Sequence, residues 1–317
     1  MASILPFAEK GNWYKGNLHC HSTVSDGLLS PEELVKLYKN NEYNFLVISD
    51  HEVYTDFTNL NQDSFIVLPG VEYSVTKYGP NNERLQTYHI NGILGTAEMQ
   101  KKARRPLLKH MEVLPALDWN GQKAAQEMID FLLDSGHICT LNHPLWSRTE
   151  LEDLNELEGY FAMEIFNYGC ELESHTGITT LYWDSLLKRG KKIWAVASDD
   201  NHNVLKDSCG GWVCVNAREL SHDAIIEGLL SGRFYSSTGP EIYDYGLING
   251  EVFIECSPVN VIHFVATDEL NSGFSQWGEG NSLTKARFRL KGNEKYIRVE
   301  CVDLYGKIAW TNPIFLK

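Results

Sequence analysis

Several protein classes are excluded by what this 317-residue chain lacks. Its seven cysteines are odd in number and no two are spaced Cys-x-x-Cys, so neither a zinc ribbon nor a disulfide framework is indicated. Cys20, Cys139, Cys170, Cys209, Cys214, Cys256 and Cys301 sit mostly in apolar runs and read as small buried hydrophobes. Basic residues are scarce: 28 lysines and arginines stand against 42 aspartates and glutamates, a formal net charge of −14. A protein that grips long nucleic acid needs a basic surface to neutralise phosphates, so that class is set aside. A small phosphate ester is still allowed, because metal ions can reverse the potential inside a cleft.

No apolar run approaches the ~20 residues needed to span a bilayer. Residues 1–10 show no basic start followed by a long apolar core, so no signal peptide is visible. The expectation is a soluble cytoplasmic protein without membrane contact. There is also no Gly-x-Ser-x-Gly elbow, no glycine-rich phosphate loop, no internal repeat and no low-complexity segment.

What is present is an apolar fraction of 43% with 11% aromatics, ordinary for a chain with a real core. The length accommodates one large domain and a small one. The stretch that organises the rest is Asn17-Leu18-His19-Cys20-His21-Ser22, followed by Asp26-Gly27. On an extended backbone His19 and His21 point the same way, with Cys20 turned toward the core. Two imidazoles side by side at a strand end suit a borderline ion such as Zn, Mn or Fe, although a pair of satisfied core histidines has the same spacing.

Later strand ends repeat the pattern. Ser30-Pro31-Glu32-Glu33 opens a helix that runs to about Asn41. The apolar run Phe45 to Ser49 then ends in Asp50-His51-Glu52, and Phe65 to Leu68 ends in Pro69-Gly70-Val71-Glu72. A fourth strand covers residues 88–94 with His89 near its start, and residues 95–120 read as irregular. An amphipathic helix over residues 122–135 leads to a strand at 138–141 that ends in Asn142-His143-Pro144. Residues 161–166 form a sixth strand carrying Glu164 and ending at Asn167. After a helix at 181–188, residues 193–197 form a seventh, ending in Ser198-Asp199-Asp200-Asn201-His202. Seven buried strands alternating with helices imply an α/β fold with a parallel sheet, and polar residues at carboxyl strand ends are how barrel enzymes build a site. Beyond a last helix at 221–232, alternating segments at 259–265, 285–290 and 296–302 read as antiparallel strands. The boundary falls near Thr238-Gly239-Pro240, giving a domain of residues 1–238 and a small C-terminal β-unit of residues 239–317.

The candidate ligands are His19, His21, Asp26, His51, Glu72, His89, His143, Asp200 and His202. Imidazoles with a few carboxylates suit Zn, Mn or Fe better than Ca or Mg. Nine candidates exceed the three or four ligands of one catalytic ion, so two or three divalent ions are expected, with Glu72 a plausible bridge. Clustered metals lower the pKa of water from ~15.7 toward ~7 and neutralise phosphoryl oxygens during in-line attack. The expected activity is a metal-dependent hydrolase, in first place a phosphomono- or diesterase on a small molecule or short nucleotide. The same site could hydrolyse an amide or carbamate, and a non-catalytic, metal-stabilised binding protein is the third reading.

These residues resemble the PHP (polymerase and histidinol phosphatase) superfamily of metal-dependent phosphoesterases. The likeness is carried by His19-x-His21 with Asp26, Ser49-Asp50-His51, Gly70-x-Glu72, Tyr88-His89, Asn142-His143-Pro144 and Asp200-x-His202, over residues 15–205. It implies a distorted (β/α)7 barrel, TIM-like in plan, with two or three metals. The later phrases Glu164-Ile165-Phe166-Asn167, Phe234-Tyr235-Ser236-Ser237-Thr238-Gly239-Pro240 and Ala309-Trp310-Thr311-Asn312-Pro313 resemble the carbaryl-hydrolase-like branch.

Several residues carry two readings. Asp199 and Asp50 read as holders of neighbours before ligands. Glu164 and Asn167 line the pocket or make structural hydrogen bonds. Arg148, on the loop after His143-Pro144, is the first choice for a phosphate-gripping cation, against a solvated arginine. His175 lies in a polar loop where substrate could pass. Lys101, Lys102, Arg104 and Arg105 read as a solvated loop.

Overall fold

A computed structural model describes residues 3–7, 11–266, 270 and 272–316. Short apolar runs build its frame. Phe45–Ile48, His137–Leu141 and Ala162–Asn167 are buried at every position. Strands of that kind need cover on both faces. Helices supply much of it. Pro31–Asn40 turns Leu34, Val35 and Tyr38 inward, and Gln122–Asp134 turns in Ala124, Ala125, Met128, Ile129 and Leu132. Thr180–Lys188 and His222–Leu230 do the same with Trp183, Leu186 and Ile225, Ile226, Leu229. The first helix starts where the sequence puts it. Ser30 Oγ accepts from Glu33 N, and the Glu33 carboxylate accepts from Ser30 N at 2.9 Å, a reciprocal cap that satisfies two orphan donors.

The main sheet runs in space as Phe274–Trp277, Val261–Val265, Tyr296–Val302, Ile308–Thr311, Phe234–Ser237, Trp212–Ala217, Asn12–Asn17, Phe45–Ile48, Ile66–Tyr78, Arg84–Leu94, His137–Leu141, Ala162–Asn167 and Trp194–Ser198. The mixed α/β class holds, but the sheet is not all parallel. Ile66–Tyr78 and Arg84–Leu94 form a long antiparallel hairpin, and the latter pairs antiparallel with His137–Leu141. The reason is the connection, residues 79–83. A parallel partner needs a crossover of a dozen or more residues. His89 therefore sits in mid-strand rather than near a strand start.

Two further strands, Trp212–Ala217 and Phe234–Ser237, extend the sheet past the seventh expected one. Phe234–Ser237 is legible only through its neighbours, because FYSS has too few apolar positions to declare itself. Ser236 ties Phe234–Ser237 to the far strand: its Oγ accepts from Ala197 N at 3.1 Å and donates to Ala195 O at 2.8 Å. The segment taken as irregular, 95–120, holds the Thr96-capped helix Ala97–Lys101 and the strand Glu112–Val113, paired with Val53–Tyr54.

Beyond Gly239 the chain is antiparallel, as expected. Ile308–Thr311 pairs with Phe234–Ser237, so this part shares the main sheet. A separate three-stranded sheet of Ile242–Ile248, Glu251–Val259 and Leu283–Arg289 packs its apolar face over Ile262, Phe264, Val299 and Cys301. One buried charge joins the C-terminal strands to a helix of the larger part. Arg298 is 2% exposed; its Nε and Nη2 reach the two Asp184 oxygens at 2.8 and 2.6 Å, and Nη1 reaches Glu300 at 2.6 Å. All seven cysteines are free, and among the described residues no helix is long and apolar enough to cross a membrane.

Removing Arg298 strands two carboxylates whose only counter-ion among the described residues is its guanidinium. Arg298→Ala is expected to cost about 3 kcal/mol, read as a lowered urea midpoint. An unchanged midpoint would show that this fork does not hold the two parts together.

Candidate metal centre

The sheet delivers the nine candidate side chains to one place. His19 and His21 follow Asn12–Asn17, and Cys20 between them points into the core opposite Asn201. His51 lies beside Glu72 across the two central strands. His89 comes from the hairpin partner, directly opposite Ser74. His143 and Asp200 sit just past their strands in left-handed backbone, φ 24° and 52°. That conformation is uncommon for residues with a Cβ and must be held by its surroundings. Here it is: Asp200 N donates to His19 O at 2.9 Å, and His143 N donates to Glu164 Oε2 at 2.9 Å.

Glu72, fully buried, is the hub. Its Oε1 lies 3.1 Å from His19 Nε2, 3.1 Å from His89 Nδ1 and 3.4 Å from His143 Nε2. Its Oε2 lies 3.0 Å from His51 Nδ1 and 3.5 Å from His21 Nε2. Asp200 Oδ1 sits 3.1 Å from both His19 Nε2 and His21 Nε2. Toward solvent, Asp26 approaches His202 Nε2 at 3.4 Å, His51 Nε2 at 3.7 Å and His21 Nδ1 at 3.9 Å.

Charge sets the proton states. Burial disfavours ionised Glu72 and Asp200, but the surrounding imidazoles outweigh it and hold both well below the usual carboxylate range. Burial likewise opposes a charged His51, yet Glu72 and Asp26 raise its pKa to about 9. His21 goes the other way: burial pulls it down to about 4 despite Asp200.

The donor set fits a cation. Glu72 Oε2 and His89 Nδ1 are buried and make no hydrogen bond, although each has a polar atom of the cluster at 3.0–3.1 Å. His19 Nε2 and His21 Nε2 face each other at 3.2 Å with carboxylate oxygens around them. Donor atoms that crowd without hydrogen-bond geometry are aimed at a shared point between them. Among the described residues four overlapping groups could each hold an ion: His21, Asp26, His51, His202; His19, His21, Glu72, Asp200; His51, Glu72, His89; and His19, His143, Glu164.

An outer layer fixes the rings. His19 Nδ1 donates to Glu164 Oε1 at 2.7 Å, which leaves Nε2 directed inward. Glu164 also accepts from Ser198 Oγ and from Asn167 Nδ2, so both residues act here through hydrogen bonds. Asn142 donates to Glu72 Oε1 at 2.7 Å, and His143 Nδ1 pairs with Ser147 Oγ at 3.0 Å. Asp50 accepts from the backbone and hydroxyls of Ser22 and Ser25, shaping the loop that presents Asp26. Asp199 points away from the cluster into a nest of Cys209, Gly210 and Gly211 N–H groups and the Tyr38 hydroxyl; burial raises its pKa to about 6.

The cluster floors a cleft of about 620 Å³. Arg148 does not line it: the guanidinium folds back on Leu145 O and Trp146 O. His175 is likewise outside, 89% exposed and paired with Glu171. The basic loop lies elsewhere too, with Lys102 on Glu98 and Arg105 over the Phe131 ring. Sequence reasoning missed Trp146, whose ring packs 5.1 Å from His143 and 5.8 Å from His89, and the far wall formed by Ser74, Thr76, Tyr78 and Arg84. The turn signal Gly79-Pro80-Asn81-Asn82 between two alternating runs is the mark that would have revealed that wall as a hairpin.

No protein-family model matches the chain, and no curated protein matches it in sequence. Solved structures do. A two-domain protein from Bacteroides vulgatus containing a predicted PHP-like metal-dependent phosphoesterase is 14% identical, with TM-score 0.50, 96% of each chain being covered. A protein from Bifidobacterium adolescentis with the provisional designation of metal-dependent phosphoesterase is 14% identical at TM-score 0.40, over 60% of this chain and 88% of its own. An amidohydrolase from Chromobacterium violaceum with bound sulfate and no metal is 15% identical at TM-score 0.39, over 59% and 87%. The fold is therefore one that a PHP-like protein has.

Two outcomes follow from this geometry. Glu164→Gln, which breaks the charge on the His19 ring, is expected to weaken metal affinity about 10–100-fold by calorimetry. A cation must also displace the proton on His51, so apparent affinity is expected to rise between pH 7 and His51's pKa of about 9, by up to about tenfold per pH unit for each proton released. Proton release measured in two buffers of different ionisation enthalpy checks this; affinity flat across that range would remove His51 from the ligand set.

Proposed function

We propose that this chain is a metal-dependent hydrolase, specifically a phosphomono- or diesterase acting on a small phosphorylated molecule or short nucleotide. The observation that carries the reading is the convergence of six imidazoles on Glu72, Asp200 and Asp26 at the floor of an open cleft. Two or three Zn, Mn or Fe ions held by His19, His21, Asp26, His51, Glu72, His89, His143, Asp200 and His202 would lower the pKa of water and oppose the charge on phosphoryl oxygens.

The protein's own groups have separable tasks. Glu72 and Asp200, dry and ionised, supply fixed negative charge between neutralising imidazoles. His51 and His202, each about a quarter exposed, and the open Asp26 face the cleft where a phosphoryl group would enter. Glu164 and Asn142 keep the buried members from rotating. Trp146 covers the His89 and His143 flank against water. No serine or cysteine nucleophile is required, and Cys20, the cysteine between the two histidines, has its thiol pKa raised well above normal by burial. In this reading residues 1–238 carry the chemistry and residues 239–317 form a β-unit packed against them. The phrases around Glu164, Phe234 and Trp310 support the carbaryl-hydrolase-like branch.

Purified protein supplied with Mn or Zn is expected to release p-nitrophenol from p-nitrophenyl phosphate or its bis ester. His19→Ala is expected to lower the rate at least about a hundredfold, more than loss of an outer partner does. Chelation is expected to abolish turnover and metal to restore it. Activity that survives complete metal removal would refute the mechanism, and hydrolysis confined to amide or carbamate members of a parallel panel would replace the substrate class.

A further inference from the structure

The hairpin that carries Glu72 and His89 continues well past them. Ile66–Tyr78 and Arg84–Leu94 are thirteen and eleven residues long. Glu72, Ser74, Thr76 and Tyr78 alternate onto the face that lines the cleft. On the partner strand regular pairing sets His89 opposite Ser74 and Thr87 opposite Thr76. Continued without interruption, it would set Leu85 opposite Tyr78 and turn Arg84 to the other face. The ladder slips instead: Lys77 pairs with Gln86, and Tyr78 pairs with Arg84. Leu85 is the extra residue of a bulge, a device that re-aims a side chain. Arg84 joins the cleft wall as a result.

Its chemical setting is one-sided. Among the described residues lining the cleft, Arg84 is the one lysine or arginine. Three of the acids that line the same cleft are already hydrogen-bonded. Glu52 accepts from Ser74, Glu173 accepts from Trp146 Nε1 at 2.7 Å, and Asp207 accepts from His202 N and Asn203 N. The adjacent Glu83 accepts from Asn81 N within the hairpin turn. The Arg84 guanidinium makes no ion pair or hydrogen bond among the described residues. Tyr78 stands beside it across the ladder, Thr76 and Ser74 lie on the same face between Tyr78 and Glu72, and the cleft is also lined by Val204 and Leu205, 67% and 50% exposed. Six residue steps along the strand carry the chain from Glu72 to Tyr78, about 20 Å.

The geometry points to Arg84 as a specificity-determining residue that binds a second anionic group of the substrate, remote from the phosphoryl centre. The substrate class is then a phosphate ester whose partly apolar body ends in a second oxyanion. A guanidinium fork matches such a group in two parallel hydrogen bonds. This rests on the phosphoesterase reading above and narrows it.

The test uses the metal-loaded full chain and non-hydrolysable probes. ω-Carboxyalkylphosphonates of increasing chain length are compared by calorimetry with methyl-terminated alkylphosphonates of the same lengths. The quantity read is the ratio of the two affinities within each variant, so a change common to both ligands cancels. In the wild type the carboxylated series is expected to bind at least about tenfold tighter at one preferred length. Arg84→Gln is expected to bring that ratio near one, and Arg84→Lys to keep part of it. A wild-type ratio near one at every length, or a ratio that Arg84→Gln leaves intact, overturns the inference while the phosphoesterase reading stands. Failure of either phosphonate series to bind the wild type overturns both.

Discussion

A carboxylate with no exposed surface, Glu72, is the constraint around which this structure is arranged. An ionised carboxylate in a dry interior costs several kcal/mol unless charge and hydrogen bonds compensate it. Compensation comes from five imidazoles on four separate segments and from the Asn142 amide. Each of these has to arrive within about one hydrogen-bond length, so the strands that carry them cannot shift independently. The same crowding leaves Glu72 Oε2 and His89 Nδ1 buried without a hydrogen bond. A cluster in that condition has buried lone pairs without a partner, which a cation would satisfy.

The second layer makes this arrangement possible. Glu164 holds the His19 ring and the His143 backbone at once, and so links two strand ends through one side chain. Asp199 gathers three consecutive backbone N–H groups and a tyrosine hydroxyl, which fixes the loop beyond Asp200. These bonds hold His143 and Asp200 in left-handed backbone, where a side chain is normally disfavoured. Rigidity in the outer residues therefore sets direction in the inner ones.

Parts of the fold were open to reading. Phe45 to Ile48 has no polar position, and only a strand covered on both faces accommodates that. Ser30-Pro31-Glu32-Glu33 carries a cap, a first-turn proline and a reciprocal glutamate, so the helix start was decided locally. The direction of strand pairing was not open to the same reading. Residues 66–94 looked like two separate short strands because the intervening Ser74, Thr76, Gln86 and Thr87 are polar. Ser74 and Thr76 line the cleft, Thr87 bonds Thr76 across the hairpin and Gln86 reaches Asp153 at 3.4 Å, each a fact of tertiary position. Arg148 and His175 stood at promising loop positions, yet backbone carbonyls took the one and Glu171 the other. Arg84 had no motif around it; a single slipped register brings it to the cleft.

The sequence by itself determined which chemistry was on offer. His-x-His on extended backbone places paired imidazoles on one side, because side chains alternate with a period of two. It determined too that the strands carrying them would be buried, since apolar runs without interruption have no other stable environment. Only the tertiary structure decided that His19, His21, His51, His89 and His143 share one carboxylate, which nitrogen of each ring faces inward, and which cation lines the wall. Those outcomes depend on register, hairpin geometry and hydrogen bonds between distant segments, and none of them leaves a periodic trace in the chain.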